Sequence, residues 1–180
     1  VRLHCAWLAV SLVGCGTKTD SASSDSAPQD NSVSEGLVLA HEAWLLVDPA
    51  IDPFPPDEPV DCPAVAYGAE NGFFELETDY CAWATFQQTT RLDLSAGDPL
   101  RVVTWHLDLW APEPYTARLL LRLGDDDVWS AEFEVPGEEG VSELEFEAPS
   151  DLPAGSDAWF HVANHGVNSW RLGDLEREAR

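Results

Sequence analysis

From Cys62 to Glu176 the chain is a series of strand-length apolar runs, broken by Gly, Pro and Asp turns roughly every 8–14 residues. The runs are GFFELET, CAWATFQQ, LRVVTWHLDLW, YTARLLLRLG, VWSAEFEV, VSELEFEA, AWFHVANHG and SWRLGDLE. Between them stand SAGDP, APEP, GDDD, PGEEG and SDLPAGSD. Alternation at this spacing predicts an all-β fold, an antiparallel β-sandwich. No internal repeat is present, and no amphipathic helix is expected apart from the DLEREAR end. Upstream, LVLAHEAWLLV (37–47) has the apolar content of either a strand or a helix and is read as a strand. The segment DPAIDPFPPDEPVDCP (48–63) carries six prolines, so it is an extended connection that cannot join a central sheet.

Side-chain parity then assigns faces. Over 100–110 the odd positions Val103, Trp105, Leu107 and Leu109 are the expected buried set, with Thr104, His106, Asp108 and Trp110 facing away. Leu119, Leu121 and Leu123 point inward while Arg118 and Arg122 point out. Trp129, Ala131, Phe133 and Val135 face the core, as do Leu144 and Phe146 opposite Glu143, Glu145 and Glu147. In 158–165, Phe160 and Val162 are buried, and Trp159, His161 and His165 lie on the other face. Two strands thus offer tryptophan and histidine to what is read as one surface.

The first 35 residues belong to a different regime. Arg2 and the amine precede an apolar run, Cys5–Leu12, far shorter than the roughly 20 residues a spanning helix needs. Such flanks are those of an export signal, and Val1 is read as a GUG start. The tetrapeptide Leu12-Val13-Gly14-Cys15 resembles the lipobox of bacterial lipoproteins. That resemblance implies a signal peptide at 1–14, cleavage before Cys15, diacylglycerol on its thiol and acylation (palmitate) of the new amine. Several acyl chains at about 0.8 kcal/mol per buried CH₂ form a durable anchor. Gly16 after the cysteine, by resemblance to lipoproteins of Gram-negative bacteria, implies the outer membrane. The stretch 15–35, almost all Ser, Asp, Thr, Ala and Gln, cannot offset its chain entropy by burial and reads as a tether reaching about 25 Å. A β-sandwich domain is expected over 36–180. With Cys5 lost and Cys15 acylated, Cys62 and Cys81 remain as an even pair, and an exported location permits their disulfide.

Thirty-three acidic residues against nine basic ones give a formal net charge of −24. A surface of that sign repels phosphate backbones, so nucleic acid is excluded as an expected partner. The stretch from Cys62 to Glu176 resembles the jelly-roll sandwiches of carbohydrate-binding modules and galactose-binding-like domains, through LSAGDPLRVVTW and the closing pair FHVANHGVNSWRLGDLE. It is also similar to exported lipoproteins of high-GC bacteria that end in a comparable NHGxNSW segment. The resemblance implies a binding module and transfers no ligand residues.

The candidate ligand-binding surface is His106, Asp108, Trp110, Trp159, His161, Asn164 and His165. A sugar site needs a flat aromatic face for the apolar side of the ring and fixed donors and acceptors for its hydroxyls, and these residue types supply both. Packing of the tryptophans and a hairpin at Asn164-His165-Gly166 is the competing reading. A metal reading uses His106, His161 and His165 as zinc or copper ligands, as carrier or hydrolase, although His161 and His165 stand about 13 Å apart along a straight strand. GDDD (124–127) offers oxygens for structural calcium. G-x-S-x-G, H-E-x-x-H, the P-loop and a Cys/His nucleophile pattern are absent. The expectation is therefore a non-enzymatic, lipid-anchored envelope protein that requires no cofactor. Its expected partners are the bilayer and a glycan or another envelope component, and a purely structural role stands as the further alternative.

Overall fold

The computed structural model describes residues 36–57 and 60–179. Cys15, the signal segment and the tether lie outside the described residues. Among the described residues twelve strands form two antiparallel sheets. They are β1 (Leu37–Leu39), β2 (Leu45–Leu46), β3 (Tyr67–Glu70), β4 (Phe73–Glu77), β5 (Trp83–Thr89) and β6 (Pro99–His106), followed by β7 (Tyr115–Leu123), β8 (Asp126–Val135), β9 (Gly140–Glu147), β10 (Asp157–Ala163), β11 (Ser169–Leu172) and β12 (Leu175–Arg177). One sheet runs β2-β5-β10-β7-β8. The other runs β1-β12-β6-β11-β4-β3, with β9 on the opposite edge of β6. The expected all-β jelly-roll-like sandwich is what the chain forms.

Local chemistry sets the hairpins. Asn71 and Gly72 both take positive φ between β3 and β4, as a two-residue turn of matching twist requires. Gly124, at φ +58°, opens the turn between β7 and β8. The core lies between the sheets. Phe74 on β4 meets Phe86 on β5 with ring centroids 4.7 Å apart, and Trp44 fills in against Phe74 and Phe160. Each such side chain, fully buried, contributes about 1.5–3 kcal/mol of transfer free energy.

Segment 37–47 is not one strand. β1 pairs with β12 in the larger sheet, a 3₁₀ turn at His41–Ala43 redirects the chain, and β2 pairs with β5 in the smaller one. Residues 175–177 of the DLEREAR end are strand β12, not helix.

Parity holds for β7, β8, β9 and β10. It is inverted in β6: Leu100, Val102, Thr104 and His106 face the core, while Val103 and Trp105 lie on the outside. Apolar residues occupy both parities of this strand, so alternation alone does not choose a face. The deciding contacts are non-local. Arg171 lies over the Trp105 ring at 4.1 Å and Phe73 packs edge-on to it at 6.2 Å, covering an outward tryptophan. The strand ends at His106, leaving Leu107 exposed and Leu109 buried. Cys62 and Cys81 are joined as a disulfide.

Candidate functional site

The sequence-predicted surface is dispersed by this register. His106 is turned into the core between Phe133 and Trp170, at 5.2 and 5.0 Å, and its Nδ1 donates to the Leu107 carbonyl. A Cβ on Gly140 would approach its Nε2 to 2.8 Å, so its other nitrogen is walled in as well. Asp108 is exposed and accepts from the Glu139 amide. Trp110 is 55% exposed on the loop after β6, its amide donating to Asn168 Oδ1. Asn164 is fully buried and donates to Thr78 Oγ1 at 2.7 Å, so it builds the β10–β11 connection rather than a surface. His165 is exposed, with its ring 4.6 Å from Tyr115.

Only Trp159 and His161 share a face, the outer face of the five-stranded sheet. His161 pairs across the strands with Thr85 and Leu120, and His106 pairs with Gly140 and Trp170, so the two histidines are not cross-strand neighbours. Among the described residues the three histidines of the metal reading do not come together. Among the described residues the one group of three with ligand atoms close enough to share an ion is His41, Glu42 and Asp174, in which Asp174 Oδ1 already accepts from both the amide and Nδ1 of His41. In GDDD, Asp126 accepts from Ser150 and Asp127 pairs with Arg122; neither belongs to a cation-sized cluster.

The outer face of the five-stranded sheet holds a concavity of about 670 Å³, within the range of small-ligand sites. It is built row by row. Trp83 on β5, Ala163 on β10, Arg118 on β7 and Glu132 on β8 stand in cross-strand register, and His161 and Leu120 form part of the next row. Tyr115 and Thr116 extend the cavity at the start of β7, and Phe54 and Pro55 of the Pro-rich segment wall it. Arg118 and Glu132 form an exposed ion pair at 2.7 Å, placing donors and acceptors at the rim. Trp83, Tyr115 and Phe54 supply the aromatic surface.

His161 sits at the bottom, 3% exposed, with Phe54 at 4.9 Å and Trp83 at 4.8 Å. Its Nδ1 lies 2.9 Å from Thr85 Oγ1. Burial pushes its pKa down to about 4, Asp52 opposing that shift and Arg118 adding to it. The imidazole is neutral at pH 7 and acts as a flat floor. Sequence reading missed Trp83, Tyr115 and Phe54. For Trp83 a signal was present: Ala84 and Phe86 inward puts 83, 85 and 87 outward.

A shallower hollow of about 260 Å³ lies against β3 and β4 on the other sheet. Its Glu70, Glu75 and Glu77 crowd negative charge. Burial opposes ionisation of Glu75, but hydrogen bonds with Glu70, Ser169 and Arg171 hold it below the ordinary carboxylate range, and Glu77 is pushed up. It offers no comparable aromatic wall.

No described protein family and no curated protein sequence matches the chain. Its architecture is similar to that of solved carbohydrate-binding modules. One is described as CBM4, at 12% identity and TM-score 0.39 over 62% of this chain and 75% of that one. Another is TmCBM61 in complex with β-1,4-galactotriose, at 16% and 0.41 over 77% and 91%. A third is the CBM22-1–GH10 portion of the Clostridium thermocellum xylanase Xyn10B complexed with xylohexaose, at 10% and 0.42 over 81% and 28%. Several matched chains are far longer, and this chain spans 15, 21, 26 and 28% of four of them.

Proposed function

We propose that this protein is a carbohydrate-binding module whose site is the cavity on the outer face of the five-stranded sheet. The observation that carries the reading is the pairing of aromatic walls, Trp83, Tyr115 and Phe54, with the polar Arg118–Glu132 rim in one cavity of about 670 Å³. Sugar rings present an apolar face of axial C–H groups and an equatorial belt of hydroxyls. Aromatic walls take the first, and guanidinium, carboxylate and Thr116 hydroxyl take the second. The charge of −24 disfavours polyanionic glycans, and the cavity's own pair is charge-balanced, so the ligand class is a neutral glycan. Binding here is positioning without chemistry: among the described residues the hydroxyl–imidazole pair at the cavity floor, Thr85 and His161, is buried, at 1% and 3% exposure.

Calorimetric titration of the full chain with neutral oligosaccharides tests this. Binding is expected, and Trp83→Ala and Tyr115→Ala should each weaken it at least tenfold. Unchanged affinity in both variants refutes the site.

The domain is further read as held at the cell envelope through acylated Cys15 and the 15–35 tether, on the strength of the lipobox-like tetrapeptide and of a disulfide suited to an oxidising compartment. Intact-mass measurement of native protein is expected to show a chain beginning at Cys15 with diacylglycerol and acyl additions. An unmodified Cys15 thiol overturns the anchor.

A further inference from the structure

The Pro-rich segment crosses the outer face of the five-stranded sheet as a strap and divides it. Three strands grip its Phe54. The ring lies 4.9 Å from His161 on β10, the Arg122 guanidinium on β7 stands 4.4 Å from its centroid, and Trp83 Nε1 on β5 donates to its carbonyl at 2.8 Å. Arg122 is bound in turn to Asp127 on edge strand β8, so the barrier runs from β5 across to β8.

The strap is also tied down at both ends onto the β5 side. The Val47 amide donates to the Thr85 carbonyl at 2.9 Å, and Cys62 is bonded to Cys81, two residues before Trp83. The cavity of the proposed function lies wholly on one side of this barrier. Trp159 and Gln87 stand in the cross-strand row of Arg122, beyond the Phe54 ring. There a separate hollow of about 340 Å³, against Leu45, Gln87 and Asp157, shares no lining residue with the first.

Resting on the carbohydrate reading above, we propose that the strap makes the site blind-ended, so that it takes the terminus of a neutral glycan or a free oligosaccharide and not the interior of a polysaccharide chain. A polymer bound by its interior must leave the site in two directions. Along the strands Phe54 and its Arg122 cap bar the way. Across them the exit beyond Trp83 is barred on the β5 side, because Pro55 lines the cavity and Pro56 lines the hollow on the far side of Trp83. Lifting the strap would break the indole hydrogen bond and the guanidinium–ring contact together while both of its ends stay tied. The two directions left open, past Tyr115 along the strands and past Glu132 across them, adjoin at one corner of the cavity and are not opposed, so a chain has no straight way through and the ligand enters by one end.

The experiment uses the full chain and four probe pairs: cello-, xylo-, manno- and galacto-tetraoses, each against the soluble polymer of the same linkage. For any tetraose that binds, affinity per sugar unit is expected to exceed that of its polymer at least tenfold, since ends are dilute in a polymer. Phe54→Gly is expected to shrink that ratio to below threefold. Equal affinity of tetraose and polymer for the unaltered protein overturns the blind end while leaving the carbohydrate reading intact, and needs no variant to fold. A ratio unchanged in a folded Phe54→Gly protein overturns the role of the strap. Absence of binding to all four tetraoses and their polymers overturns the carbohydrate reading and the proposal together.

Discussion

On the outer face of the seven-stranded sheet, Trp105 lies under the Arg171 guanidinium and beside Phe73, and Arg171 is held by Glu75. On the outer face of the five-stranded sheet, Trp83 and Tyr115 instead line an open cavity. Both faces carry tryptophan, arginine and glutamate in one cross-strand row. The difference is where the guanidinium goes. Arg171 stacks on its own tryptophan and completes it. Arg118 pairs with Glu132 at the rim, and Arg122 stacks on Phe54 of the strap, so Trp83 keeps a surface for a ligand. In this sandwich the outward tryptophan that lines an open cavity is the one whose neighbouring cations are engaged elsewhere.

That contrast is open to attack by substitution. Glu75→Ala leaves the half-buried Arg171 guanidinium without its carboxylate and should destabilise the fold by about 3 kcal/mol in urea unfolding, with glycan affinity unchanged in the protein that remains folded. Replacing Cys62 and Cys81 by serine should lower stability by about 3 kcal/mol through loss of loop closure. Unlike Glu75→Ala, it should also weaken binding, because it frees one end of the strap.

His161 gives the contrast a pH signature. Its folded pKa of about 4 lies below the unfolded value near 6.5. The unfolded chain therefore binds the extra proton in that window, and this contribution, up to about 3 kcal/mol, is complete above pH 6.5 and lost as pH falls toward 4. Urea unfolding at stepped pH should show a shallower slope between pH 4 and 6.5 for His161→Gln than for the unaltered protein; identical slopes would mean the ring is not buried neutral. The smallest effect belongs to Trp110→Ala. An exposed loop residue outside the cavity should leave stability within about 0.5 kcal/mol and leave glycan affinity unchanged by calorimetry.

The sandwich was legible because its information is local. Leu119/Leu121/Leu123 against Arg118/Arg122, and Leu144/Phe146 against their flanking glutamates, state their faces within a single strand. The β6 strand did not, since Leu100-Val102 and Val103-Trp105 are equally apolar and the choice falls to Arg171, sixty-six residues on from Trp105. The same reversal carried His106 into the core and broke up the expected His/Trp surface. Half of the site was within reach: His161 was placed on the correct face, and Trp83 follows from the alternation of its own strand. Phe54 was not, because a proline-rich segment has no period from which to read where its one aromatic residue lands.

The close partnering of β1 with β12 has a mechanical meaning. Gly36 accepts from the Arg177 amide, and a methyl group there would strike the Arg177 carbonyl at 2.3 Å, so the chain's approach to the sheet is held tight against its last strand. Any pull transmitted from the residues before Gly36 falls first on that three-residue ladder, at the far sheet from the cavity. Tension on the residues before Gly36 would begin to peel the domain at that seam while leaving the sheet that carries the cavity at rest.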